Sequence, residues 1–100
     1  MGQDFRERRA HTRRKVLWKA KLEAGDYYFE CLVYDISLQG AKVKLDLPLE
    51  QGSSANISMK EKDPLSSKVA WATDGYVGLN FKDMPEQVRH MLGQVGKDLN

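Results

Sequence analysis

Two short stretches of this chain combine residue types that recognise a charged, planar ligand. Residues 6–15, Arg6-Glu7-Arg8-Arg9-Ala10-His11-Thr12-Arg13-Arg14-Lys15, hold six cationic side chains, and one strand pair later comes Asp35-Ile36-Ser37-Leu38-Gln39-Gly40. Guanidinium forks match phosphate oxygens and the O6/N7 edge of guanine, while a carboxylate accepts from the N1 and N2 hydrogens of guanine. The two stretches together supply donors and acceptors that neither has alone. The chemistry they suit is binding of a guanine nucleotide with exposed phosphates.

Each stretch also has a plainer reading. Arg9 and Arg13, spaced as Arg-x-x-x-Arg, sit in a segment so rich in arginine that a solvated basic tail explains the spacing equally well. Asp35 and Ser37 are residue types that bond to their own backbone in turns, and Gly40 could serve only to supply a positive φ before the next strand. Catalysis finds little support. Ser37 and Cys31 have no histidine near them in sequence to act as a base, and one cysteine with two widely separated histidines gives no zinc pattern. A phosphate-binding glycine loop of the Walker or dinucleotide type is absent from the sequence. The expectation is therefore a binding module, with no catalytic residue, no metal and no cofactor.

Composition sets the frame in which these residues act. One hundred residues, 41% hydrophobic and 30% charged, are enough for one folded domain with a modest core and too balanced for a disordered chain. Net charge is only +2, yet residues 1–15 carry six Arg or Lys against Asp4 and Glu7, so the basic character is concentrated in an N-terminal arm. Such an arm suits a compact polyanion or an acidic partner better than an extended nucleic acid. No apolar run approaches a membrane span, the start lacks the apolar segment of a signal peptide, and Arg6 breaks the myristoylation pattern begun by Met1-Gly2. The single Cys31 lies in an apolar run, as a small buried hydrophobe of a reducing compartment. The expected location is the cytoplasm.

The elements that must position the two stretches are mostly strands. Val16, Trp18, Ala20 and Leu22 alternate with Leu17, Lys19 and Lys21, and a turn follows at Gly25-Asp26. Residues 27–34 are apolar on both faces, as in a strand deep in a sheet or barrel wall. Residues 41–47 alternate again, and shorter strands are expected at 55–59, 69–72 and, beyond the Asp74-Gly75 turn, at 76–81. From Pro85 the period becomes helical through Val88, Met91, Leu92, Val95 and Leu99, although Gly93 and Gly96 each weaken a helix by about 1 kcal/mol. The fold expected is all-β: a small six-stranded antiparallel barrel over residues 16–82, a C-terminal helix over 84–98, and a flexible arm over 1–15.

Taken jointly, the motifs resemble those of the PilZ domain, a bacterial cyclic di-GMP receptor family marked by Arg-x-x-x-Arg and, two strands later, Asp/Asn-x-Ser-x-x-Gly. The likeness extends to the Lys15-Val16 entry into the first strand and to a late hairpin from Val69-Ala70-Trp71 through Tyr76-Val77-Gly78-Leu79-Asn80-Phe81. The resemblance implies a PilZ-like split barrel, a single domain over residues 1–100, and a role in second-messenger signalling through a partner protein. It also implies that Arg9 and Arg13 grip phosphates and guanine edges, that Asp35 and Ser37 hold guanine or phosphate, and that Gly40 keeps the backbone clear of the ligand. Arg8 resembles the arginine that, in some members, helps bind two stacked cyclic di-GMP molecules. Trp71 resembles a tryptophan that lies against the nucleotide in some members, but a tryptophan in a small barrel is more often core, and core is the preferred reading here. Trp18 is assigned to the core, and His11 to an exposed position.

Two other functions compete with this one. A nucleic-acid-binding barrel would use the basic arm with Tyr27, Tyr28, Phe29 and Trp71, and would bind oligonucleotides with strong salt dependence. A PilZ-like adaptor that has lost nucleotide binding would act on protein alone, and the complete motifs argue against it.

Overall fold

The computed structural model describes residues 13–60 and 62–93, and the structural statements below concern those residues. Six strands occur in order, β1 (Arg14–Ala24), β2 (Tyr27–Ile36), β3 (Gly40–Lys44), β4 (Ser54–Met59), β5 (Leu65–Thr73) and β6 (Tyr76–Phe81), followed by helix α1 (Pro85–Leu92). Every neighbouring pair is antiparallel, and the order β1-β2-β3-β6-β5-β4 returns to β1 through the β4–β1 ladder. The sheet is thus the closed six-stranded barrel that the alternation predicts. The β4–β1 ladder that closes the ring is short, running from Ala20–Met59 to Glu23–Asn56.

The core follows from the period-two pattern. In β1, Leu22 is fully buried and Val16, Trp18 and Ala20 pack against the core, while Leu17, Lys19 and Lys21 face outward. Val33, Ile36, Val43, Ile57, Val69 and Val77 fill the interior from the other strands. Burying each such side chain stabilises the fold by about 1.5–3 kcal/mol. The Ser67 hydroxyl, also buried, donates to the Ala55 carbonyl at 2.8 Å, which satisfies it inside the barrel. Cys31 is buried as expected, and desolvation raises its thiol pKa from 9.0 to about 11.

Several boundaries differ from the sequence expectation. β3 stops at Lys44 rather than 47, because the Leu45 N–H turns to the Gly75 carbonyl (3.0 Å). β5 begins at Leu65 rather than 69, its first half hidden from an apolar pattern by Ser66, Ser67 and Lys68. β2 is not buried on both faces: Tyr27 and Tyr28, at its hairpin end beside Ala24 and Glu23, are 69% and 66% exposed. The described helix ends at Leu92, where Gly93 takes φ +60 and its N–H returns to the carbonyls of Arg89 and His90. Val88 and Leu92 join the barrel core. Residues 94–98 of the expected helix and the arm as far as residue 12 lie outside the described residues. No helix among the described residues is long and apolar enough to cross a membrane.

Candidate functional site

Two breaks in strand alternation build the site. In β2, Val33 and Ile36 are both fully buried although three residues apart, and the register against β3 shifts between Val33 and Asp35. The irregularity turns Tyr34 and Asp35 outward, so that Asp35 lies opposite Lys42 of β3 and Lys15 of β1. In β5 the register against β6 shifts between Val69 and Trp71. Strict alternation would place Trp71 inside with Val69; the extra residue, Ala70, instead puts Trp71 opposite Gly78 on the outer face. Irregularities of this kind re-aim side chains, and both of these aim at the same place.

The result is a row across the outer surface: Lys15, Asp35, Lys42, Gly78 and Trp71, one from each of β1, β2, β3, β6 and β5. Arg13, at the entrance to β1, reaches this row. Its Nη1 donates to Asp35 Oδ1 at 2.6 Å, with the arginine side chain 51% and the aspartate 18% exposed. An exposed pair of this kind adds about 0–1 kcal/mol to stability, so its larger effect is orientation. The rest of the Arg13 fork carries further donors beside the carboxylate. Arg13, Asp35, Lys42, Trp71 and Asn80 line one cavity of about 240 Å³, floored in part by Gly78.

Trp71 is the clearest correction to the sequence reading. It is 40% exposed rather than core, and its indole lies directly over Gly78: a Cβ built there would sit 2.3 Å from Cε2 and Nε1 of the ring. Only glycine lets the ring lie so close to the sheet. Trp18, assigned to the core, packs against it while half-buried, with the Lys60 ammonium 5.0 Å from its ring centroid.

Ser37 and Gly40 shape the turn behind Asp35. The Ser37 hydroxyl is buried and accepts from the Gln39 N–H at 3.1 Å, while the Ser37 N–H donates to the Gly40 carbonyl at 2.9 Å. Gly40 does not take a positive φ, contrary to the turn reading. Its need for glycine is close approach, because an added Cβ would lie 2.1 Å from the Leu79 carbonyl oxygen of β6. Arg8, Arg9 and His11 lie outside the described residues. Sequence reasoning missed Lys42 and Asn80 as lining residues, and Gly78 as the floor beneath Trp71. Outward alternation from the Gly40 turn would have found Lys42, but Gly78 needed the irregularity in β5.

The geometry agrees with what the chain resembles. The family model described as PilZ domain matches residues 7–95. Among solved structures, the PilZ domain of CeSA from a cellulose-synthesizing bacterium superposes with a TM-score of 0.68 at 18% identity, over 81% of this chain and 91% of that one. The Bacillus subtilis inhibitor of motility, MotI/DgrA, gives 0.67 at 17% identity over 84% of this chain and 47% of that one. The Borreliella burgdorferi PlzA protein, solved in complex with c-di-GMP, gives 0.64 at 17% identity over 90% and 42%. This chain therefore spans less than half of the last two proteins, and at such identities the superpositions speak to the fold. Comparison with curated proteins gave no match. With the family model spanning nearly its whole length and the barrel superposing on PilZ structures, the chain belongs to the PilZ domain family.

Proposed function

We propose that this chain is a cyclic di-GMP receptor that acts by binding rather than catalysis and signals through a protein partner. The observation that carries the reading is the convergence of the Arg13–Asp35 pair and Trp71 on one outer-face cavity. Arg13 offers a fork to a phosphate or to guanine O6/N7, Asp35 accepts from guanine N1 and N2, and Trp71 gives a flat face on which a base stacks. Ser37 and Gly40 hold the Asp35 turn in place and, by the resemblance, stand beside the ligand. A structural neighbour, PlzA, is itself solved in complex with c-di-GMP.

Arg9 enters by the family motif, and Arg8, just before it, by its resemblance to the arginine that some members have there. In this reading they bring the N-terminal arm over the ligand, and Arg8 favours two stacked molecules, whose four phosphates call for more cations than one arginine pair. The rearranged arm and barrel face then bind or release an effector in the bacterial cytoplasm.

Calorimetric titration with cyclic di-GMP, with GMP and a short oligonucleotide as controls, tests the reading. Saturable binding selective for cyclic di-GMP and lost in Arg13→Ala and Asp35→Ala is the expected outcome, and a ratio near two per protomer supports the role given to Arg8. Salt-sensitive oligonucleotide binding without cyclic di-GMP heat would replace the reading with a nucleic-acid one, and silence from all three would leave a protein-only adaptor. Limited proteolysis checks the arm: cleavage within residues 1–15 should fall on adding cyclic di-GMP, and unchanged cleavage counts against an arm that closes over it.

A further inference from the structure

Lys42 stands at the centre of the outer-face row and belongs to neither family motif. Its strand neighbours are Asp35 on one side and Gly78 on the other, and Trp71 lies one strand beyond Gly78. With adjacent strands about 4.8 Å apart, the backbone of Lys42 is one step from that of Asp35 and two steps, about 10 Å, from that of Trp71, whose indole reaches back over Gly78. A ligand that sets one base on Asp35 and a second on Trp71 must carry its connecting group over the ground between them. The indole itself covers Gly78, so that ground is β3 at Lys42, which lines the same cavity.

The lysine is also held loosely. Its ammonium lies 5.2 Å from the Tyr76 ring centroid, and Lys44, two residues further along β3, brings a second ammonium to 5.1 Å from the same centroid. Tyr34 meets Tyr76 edge-on at 5.5 Å, completing an aromatic pair across β3. Two cations that share one ring attract it weakly and repel each other, so an incoming anion draws one away at little cost. Register decides which one moves. Lys44 lies opposite Leu32 and Tyr76, one row away, and does not line the cavity; Lys42 does.

We propose that Lys42 is a direct ligand contact of this site, leaving the Tyr76 ring to meet a phosphodiester that links the sugars of two nucleosides whose bases are held at Asp35 and Trp71. The proposal rests on the cyclic di-GMP reading above and adds a residue to it that the motifs do not contain. Lysine serves here as a compact charge with rotatable donors rather than as a planar fork.

The test compares two lysines that share a strand and a ring. Calorimetric titration with cyclic di-GMP is run on wild type, Lys42→Gln, Lys42→Arg and Lys44→Gln, with thermal unfolding of each as a check on folding. Lys42→Gln should weaken binding about tenfold, as loss of one charge-assisted contact does. Lys42→Arg should restore affinity to within about threefold, and Lys44→Gln should stay within about twofold, because Lys44 stands one row away and does not line the cavity. Equal losses in Lys42→Gln and Lys44→Gln would reduce the effect to general electrostatics and overturn the proposal. An unaltered Kd in Lys42→Gln, with binding still abolished by Arg13→Ala, would overturn the proposal and leave the receptor reading standing. Wild type that does not bind would overturn both.

Discussion

Replacing Gly78 with alanine tests whether the tryptophan platform depends on one missing methyl group. The added Cβ would lie 2.3 Å from two indole atoms and 2.8 Å from a third. Ordinary carbon contacts lie near 3.5–4.0 Å, so the whole rigid ring must lift by roughly 1 Å or more, or leave its rotamer. Folding should tolerate this, since Trp71 is already 40% exposed, and alanine in a strand regains about 0.5–1 kcal/mol that glycine forfeits. Net stability should change by no more than about 1 kcal/mol. Ligand binding should suffer more: base stacking on an aromatic side chain contributes about 1–3 kcal/mol, so losing it weakens cyclic di-GMP about 5- to 150-fold.

The cause can be isolated. In a Trp18→Phe background Trp71 is the sole tryptophan, and Gly78→Ala should shift its emission to longer wavelength as the ring leaves the sheet. A double-mutant cycle with Trp71→Ala then separates platform from direct contact. If Gly78 acts only through the indole, Gly78→Ala should change Kd by less than about twofold once Trp71 is gone. Full loss of affinity in the Trp71→Ala background, or unchanged emission in the single-tryptophan protein, would refute the reasoning.

Other residues give sharper stability tests. Gly40→Ala drives a Cβ to 2.1 Å from a backbone carbonyl that cannot swing aside, so β3 and β6 must part, and urea unfolding should show a loss of about 2–4 kcal/mol. Asp35→Ala removes an exposed ion pair and should cost less than about 1 kcal/mol in the same assay, whatever it does to the ligand. Burial raises the Cys31 thiol pKa to about 11, so its stabilising effect is complete below about pH 9, where folded and unfolded chains both keep the proton, and is lost as pH climbs from 9 towards 11. Thiol-reagent labelling of the native protein should accordingly be slow at pH 8, and Cys31→Ala should flatten the decline in denaturant midpoint between pH 9 and 11.

Much of the barrel is legible in the sequence because a barrel wall has one wet and one dry face. The Val16 to Leu22 alternation marks β1 with its buried side correctly assigned, and the Asp74-Gly75 pair announces the β5–β6 hairpin by its tolerance of positive φ, +56 and +83 in the structure. Reading fails where a polar atom finds a partner indoors. Ser67 looks like a surface residue until its hydroxyl meets the Ala55 carbonyl, and that single bond hides the first half of β5. Tyr27 and Tyr28 mislead in the opposite way, since their aromatic character suggests burial on both faces while they stand at an uncovered hairpin end.

The failures of alternation coincide with the candidate site for a structural reason. A closed barrel of this size fills its interior with side chains, leaving its outer wall as the available ligand platform. On that wall an acid, a lysine and a tryptophan must stand in one row across several strands, yet each strand must also return hydrophobic residues to the core on both sides of the row. Perfect period-two strands can meet both demands only if the sequence phases of all strands happen to agree. The irregularities around Tyr34 and Ala70 correct the phase locally: Val33 and Ile36 both stay inside while Asp35 comes out, and Val69 stays inside while Trp71 comes out. Deleting Ala70 should therefore restore an unbroken alternation, with Val69 inside, Trp71 still outside opposite Gly78 and Ala72 opposite Val77. A cooperatively unfolding barrel with Trp71 still exposed would follow from the phase argument, whereas burial of Trp71 in that deletion, or loss of cooperative unfolding, would mean that something other than strand phase sets its side.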